Sequence, residues 1–210
     1  SLGNGLLSKD GLTYRFPIRR GVKFQDGSLV TAQDARYSLL RFMLMDRAGG
    51  PSALLLEPIL GVSSTRDSSG KITLDFSAAE RAVRVEGDQL VVRLARPFGP
   101  FLSIMARWSY VLPKAWAVSH GEWDGTESSW KAFNNPEKEK SYLYDHALGA
   151  GPFKVERWDR TGRYVLLARH DGYWRGPAAL RRVLVKSVPE LSTRKLMLQA
   201  RDADLIETPR

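Results

Sequence analysis

The chain has 210 residues, 43% of them hydrophobic, with six tryptophans and no cysteine. That is enough apolar surface for a real core, and the lack of cysteine excludes disulfides, thiolate metal sites and a cysteine nucleophile. The formal charge of +9 is spread along the sequence, with basic runs no longer than pairs such as Arg19-Arg20 and Arg181-Arg182. A nucleic-acid binder concentrates its charge in a stripe or tail, so no nucleic-acid partner is expected.

In chain order, Gly11–Ile18 alternates Tyr14, Phe16 and Ile18 with Thr13, Arg15 and Pro17, the period-2 pattern of a strand. Pro17 has no N–H for a ladder, which predicts an edge position. Val22–Phe24 is a short extended piece, and Asp26-Gly27 marks a turn. Thr31 opens a helix with Asp34 three residues on, the spacing of a capping box. Tyr37, Leu40 and Leu44 share one face until Gly49-Gly50-Pro51 ends the helix. Ile72–Phe76 alternates weakly and reads as a strand. Val83 and Val85, then Gly87-Asp88, then Leu90, Val92 and Leu94 spell a hairpin with a type II′ turn.

The Pro/Gly-punctuated segment Arg96–Phe101 precedes an apolar run, Leu102–Met105. Ser119–Lys140 is polar, with Trp123 and Trp130 interspersed. It is expected to be a long, poorly packed surface excursion, with a helical turn around Pro136–Tyr144. Gly149-Ala150-Gly151-Pro152 is a tight turn, where glycines permit positive φ and Pro152 removes a donor. Phe153 and Val155, then the turn Asp159–Gly162, then Tyr164, Leu166 and Ala168 form a second hairpin. Arg182–Val188 reads as a strand, Ser192 as the cap of a helix over Thr193–Ala200, and Asp204–Ile206 as a return into a sheet. At least six strand patterns against two clear helices predict an α+β fold of mixed or antiparallel sheets with few helices. No apolar run approaches the ~20 residues of a membrane span. The chain opens on Ser1-Leu2-Gly3 and stops at Pro209-Arg210, and it is expected to be an excised piece of something longer.

Chemistry is sparse. His120, His146 and His170 are far apart and fit no metal spacing, so each is expected to be a surface or loop histidine. No serine occupies a GxSxG elbow, Ser69-Gly70-Lys71 lacks the rest of a phosphate loop, and Pro152 breaks the dinucleotide pattern that Gly149-Ala150-Gly151 begins. Neither an enzyme, a metal site nor a cofactor is expected. The aromatic segment Arg107-Trp108-Ser109-Tyr110 is more informative. Trp and Tyr offer broad contact area with a polar tip, and Arg107 is suited to a bidentate bond with a carboxylate. The competing reading is that Trp108 and Tyr110 fill space between sheet and helix.

Several segments in order resemble one family, the extracytoplasmic solute-binding proteins of peptide, nickel and opine ABC importers (the family-5, oligopeptide-binding type). Asp10–Phe42 resembles its strand, its R-x-G-V-K-F-x-D-G turn and its T-A-x-D helix. Gly87–Leu102 is similar to its hairpin followed by x-P-x-x-P-F-L. Gly149–Trp158 with Asp171–Gly176 resembles G-T-G-P-Y/F … N-P-x-Y-W, and Ser192–Glu207 its T-x-x-x-x-L-x-x-G-x-x-D-I. Ala150 stands for the usual Thr, His170-Asp171 for Asn-Pro, and Arg201 for Gly.

The resemblance implies a partial lobe of the type II periplasmic-binding-protein kind. Residues 1–147 would be an inserted subdomain of lobe one, and 148–210 part of the lobe-one core sheet leading to the hinge. The second lobe would be absent. It implies a periplasmic or extracytoplasmic monomer that captures a small peptide or other polar solute and delivers it to ABC permease subunits. The parts expected to face the cleft are Arg107, Trp108 and Tyr110, the loop after the first helix at Ser52, and the turn Gly149, Ala150 and Gly151. The alternatives are the ligand-sensing domain of a transcriptional regulator and an interaction module without transport.

Overall fold

The computed structural model describes residues 6–208. Strands β1 (Leu6–Leu7) and β2 (Thr13–Pro17) are followed by helices α1 (Ala32–Met45), α2 (Ala53–Leu60) and α3 (Phe76–Ala82). The hairpin β3 (Val83–Glu86) and β4 (Gln89–Arg93) leads to α4 (Phe101–Trp108), α5 (Lys114–Ser119) and α6 (Glu127–Trp130). Then come β5 (Phe153–Asp159), β6 (Tyr164–Arg169), β7 (Arg182–Lys186) and α7 (Leu191–Gln199). The first sheet has the order β1-β2-β4-β3 and the second β5-β6-β7, with every described pairing antiparallel. This is the expected α+β mixture, with more short helices than periodicity marks.

Strand β2 lies inside its sheet, not at its edge. It pairs with β4 along its whole length, and with β1 only at Tyr14 and Arg15. Ile18 N–H donates to the Asp88 carbonyl, so the antiparallel alternation turns the Pro17 nitrogen away from β4, beyond the end of β1. Among the described residues the missing donor therefore breaks no ladder. At the start of α1 the capping box is complete: Asp34 N–H donates to Thr31 Oγ1 (3.2 Å) and Thr31 N–H to Asp34 Oδ2 (3.0 Å). The other Asp34 oxygen accepts from Lys114 N–H at 2.8 Å, tying α1 to α5. Tyr37, Leu40, Met43 and Leu44 are all buried. Register Glu86↔Gln89 leaves Gly87-Asp88 as the turn, with φ 58° at Gly87 and Asp88 outside the left-handed region, as type II′ requires.

Ile72–Phe76 is not a strand. Ile72 makes one isolated bridge to Arg66, and Asp75 caps α3 by accepting from Ser77 N–H at 3.0 Å, so Phe76 starts a helix. The larger correction concerns Ser119–Lys140. Trp123 and Trp130 head the fully buried side chains, and both belong to the core with Tyr14 and Phe16 of β2, Leu90 and Val92 of β4, and Phe101 and Met105 of α4. The polar side chains of this stretch satisfy its own backbone: Asp124 Oδ1 accepts from Thr126 N–H (2.9 Å) and from the Ser129 hydroxyl (2.5 Å). Asn134 Nδ2 donates to the Leu44 carbonyl and Thr65 Oγ1, fastening the segment to α1. Local hydrogen bonding frees the two indoles to point inward.

The second sheet is a hairpin extended by β7, with a register shift between Val155 and Arg157. Within 149–208 the one buried residue is His170, a loop histidine just after β6; His120 and His146 are exposed. Asp204–Ile206 forms no strand, and Leu205 is 89% exposed. Helix α7 begins one residue before Ser192, with Glu190 at the N-cap and no side-chain cap bond.

The C-terminus of α7 explains one family position. Asp202 N–H donates to the Met197 carbonyl and Arg201 N–H to Leu198, a Schellman closure that places Arg201 at φ 63°. Arg201 thus occupies a left-handed site where the family pattern has glycine. Arg201→Gly is expected to stabilise the chain by about 0.5–1 kcal/mol, the relief of strain less glycine's extra chain entropy. A thermal melt at matched pH reads this, and a lower midpoint would show that the arginine side chain outweighs the strain.

Candidate functional site

Arg107 and Trp108 close the last turn of α4, and Tyr110 lies just beyond. The three form one cluster. Arg107 Nη1 donates to the Tyr110 hydroxyl at 2.6 Å, and the guanidinium lies 4.9 Å over the Trp108 ring. Trp108 in turn packs against Phe42 of α1, 6.2 Å between centroids. Ser52, ahead of α2, is buried, and its hydroxyl donates to the Phe42 carbonyl at 2.9 Å. Ser52 therefore braces the cluster through Phe42 with its hydroxyl hydrogen already engaged. Among the described residues no carboxylate lies within ion-pair distance of Arg107, and Nη1 is the one guanidinium atom with a hydrogen-bond partner. The arrangement is a positioned cation on an aromatic face with free donors, next to the exposed Tyr110 ring.

The turn Gly149–Gly151 is held at a different place, by residues that sequence reading passed over. Gln25 N–H donates to the Gly149 carbonyl (2.9 Å), Gly149 N–H to Gln25 Oε1 (3.3 Å), and Gln25 Nε2 to the Phe153 carbonyl (2.7 Å). From the other side His170 N–H donates to the Pro152 carbonyl (2.9 Å) and His170 Nδ1 lies 3.2 Å from the Gly151 carbonyl. A carbonyl only accepts, so Nδ1 carries the proton. Neither Gly149 nor Gly151 uses the positive φ that glycine permits. No described hydrogen bond joins this turn to Arg107. A cation–π contact of 4.6 Å between Arg19 and Trp174 adds a second tie between the early loops and the later turns.

Two open cavities lie elsewhere. One of about 460 Å³ is lined by Trp116, His146, Leu148 and Trp158, and one of about 600 Å³ by Phe24, Leu29, Pro113 and Val118; no predicted site residue lines either. Among the described residues no group of three His, Cys, Asp or Glu is placed to hold a metal ion.

Residues 6–210 match the family described as bacterial extracellular solute-binding proteins, family 5 Middle. The chain belongs to the family-5 solute-binding proteins. It is 28% identical over 198 residues to the glutathione-binding protein GsiB of Salmonella choleraesuis, covering 94% of this chain and 31% of that protein. It is 28% identical over 205 residues to the oligopeptide-binding protein OppA of Bacillus subtilis, covering 96% and 33%. The chain thus spans about a third of the length of the curated relatives it matches. Its fold matches the oligopeptide-binding protein AppA of Bacillus subtilis, solved with a nonapeptide, at TM-score 0.66 and 24% identity, over 96% of this chain and 34% of that one. The named relatives in this family-5 group are binding proteins, and no helix among the described residues is long and apolar enough to cross a membrane.

Proposed function

We propose that this chain forms part of the substrate-binding component of an ABC importer. That component captures a peptide or similar polar solute in a cleft between two lobes, outside the cytoplasm, and delivers it to a membrane permease. The observation that carries this reading is the family-5 match along residues 6–210. Relatives named for glutathione and for oligopeptides support a solute with a peptide backbone and carboxylates. In this reading residues 1–147 are the inserted subdomain of lobe one, and 148–210 belong to its core sheet. The solute bridges the lobes and favours the closed state by its extra contacts there.

Arg107 is the group of this chain best suited to a solute carboxylate. Its plane is set by Trp108 and Tyr110, so little order is lost when a bidentate bond forms. One lobe alone leaves half of the ligand wet, and charged hydrogen bonds weaken in high dielectric. The chain by itself is therefore expected to bind reduced glutathione and short peptides saturably but only in the millimolar range. Tryptophan fluorescence during titration reads this, and Trp108→Ala is expected to remove most of the response while leaving the melting midpoint within a few degrees. Sub-micromolar binding would contradict the two-lobe reading, and no response to any peptide would overturn the proposal.

A further inference from the structure

The glycines at 149 and 151 have no structural reason in this fold. Both have ordinary φ, and a Cβ built at Gly151 would meet nothing within 4 Å, while one at Gly149 would come no closer than 4.0 Å to a neighbour. Gly172 is the opposite case: a Cβ there would meet His170 Nε2 at 3.0 Å, so the clamping ring would have to shift by a few tenths of an ångström. The space above the turn is open, and glycine without strain or crowding marks a backbone that another chain approaches closely.

The hydrogen bonding sharpens this. Gln25 takes the Gly149 N–H and carbonyl, and His170 takes the Gly151 and Pro152 carbonyls. Ala150 N–H and Gly151 N–H are left without a protein partner among the described residues, although both residues are half-buried. Two adjacent half-buried donors, in a turn clamped on either side, are left for an acceptor from outside the chain.

We propose that Gly149–Gly151 seats the main chain of the solute, with Ala150 and Gly151 N–H groups donating to one of its carbonyl or carboxylate oxygens. Gln25 and His170 are positioning residues for this seat. The inference rests on the solute-binding reading above and adds where, and by which atoms, a peptide is held.

The test is amide NMR of the chain titrated with trialanine and with trialanine amide. The Ala150 and Gly151 resonances are expected to move saturably. Equal response to both peptides assigns a peptide carbonyl, and response to the free acid alone assigns the terminal carboxylate; either supports the seat. Gly151→Val is expected to melt like the parent, because the residue before Pro152 favours extended backbone and the Cβ site is open, yet to bind at least about tenfold more weakly. Gly151→Ala serves as the milder variant, and Gly172→Ala is expected to lower the melting midpoint. If Gly151→Ala and Gly151→Val both melt far below the parent, glycine is structural and the seat is wrong. If peptides move Arg107 and Trp108 resonances but leave Ala150 and Gly151 still, the seat fails and the solute reading stands. If no peptide moves any resonance, both fail.

Discussion

Replacing Trp123 with alanine is expected to lower the stability of this chain by about 3–5 kcal/mol, the range for removing a fully buried large aromatic from a core. The indole is 0% exposed, stacks on Tyr37 at 5.8 Å and meets Phe76 edge-on at 6.1 Å. Its Nε1 donates to the Thr126 carbonyl at 2.9 Å, so truncation also orphans an acceptor. Tyr37 is bound into the same unit: its hydroxyl donates to the Trp123 carbonyl at 2.7 Å, and burial pushes its pKa up to about 12. Alanine at 123 leaves a cavity between α1 and α3 that these neighbours cannot fill without moving. Urea unfolding followed by far-ultraviolet circular dichroism reads the loss. A change within about 0.5 kcal/mol, the usual effect of a surface substitution, would restore the surface-excursion reading of Ser119–Lys140.

Glu122→Gln is expected to destabilise by about 3 kcal/mol, because it leaves the Arg41 charge poorly compensated in a largely dry site. Glu122 Oε2 lies 2.6 Å from Arg41 Nη2, with side-chain exposures of 5% and 19%. Among the described residues Arg41 Nε is buried without a partner, so the guanidinium depends on this carboxylate. Burial raises the Glu122 pKa, but the Ser141 hydroxyl at 2.6 Å and the Arg41 charge together outweigh it and hold the carboxyl below the usual glutamate range. A depressed carboxylate stabilises fully above its unfolded pKa, near 4.3, and that contribution disappears as pH falls through the lower folded value. The parent should therefore lose stability on acidification through this window, and the variant should show less of that slope. Replacing both partners by leucine is expected to cost less than Glu122→Gln alone. Urea midpoints for the three proteins between neutral and acid pH decide it, and a pH slope unchanged in Glu122→Gln would remove the pair from the account.

The candidate site was legible in part. Arg107, Trp108 and Tyr110 stood out by residue type and close spacing, and the structure joins them through one hydrogen bond and one cation–π contact. Ser52 lies in the same neighbourhood for a reason that no local pattern carries, since its bond is to a carbonyl on α1. Gln25 and His170 were missed altogether. Gln25 looks like an ordinary turn-flanking residue and gains its role from partners at Gly149 and Phe153, more than a hundred residues away. The one available signal at His170 was its replacement of an Asn in the family pattern.

By itself the sequence determined what depends on short spacing. The Thr31–Asp34 capping box, the buried face of α1, the type II′ turn at Gly87-Asp88 and the β5–β6 hairpin each rest on residues within a few positions, and each formed as spaced. Family membership belongs here too, because the four short motifs quoted in order point to the family whose model matches residues 6–210. The tertiary structure decided what depends on partners across the fold. It put β2 inside its sheet, between β4 and the described residues of β1, with the Pro17 nitrogen turned away from β4. It buried Trp123 and Trp130 from a polar segment, because that segment satisfies its own backbone and α1 and α3 offer the apolar surface. Hydrophobic burial has no sequence range, so a tryptophan among polar residues is read correctly only once the surface opposite it is known.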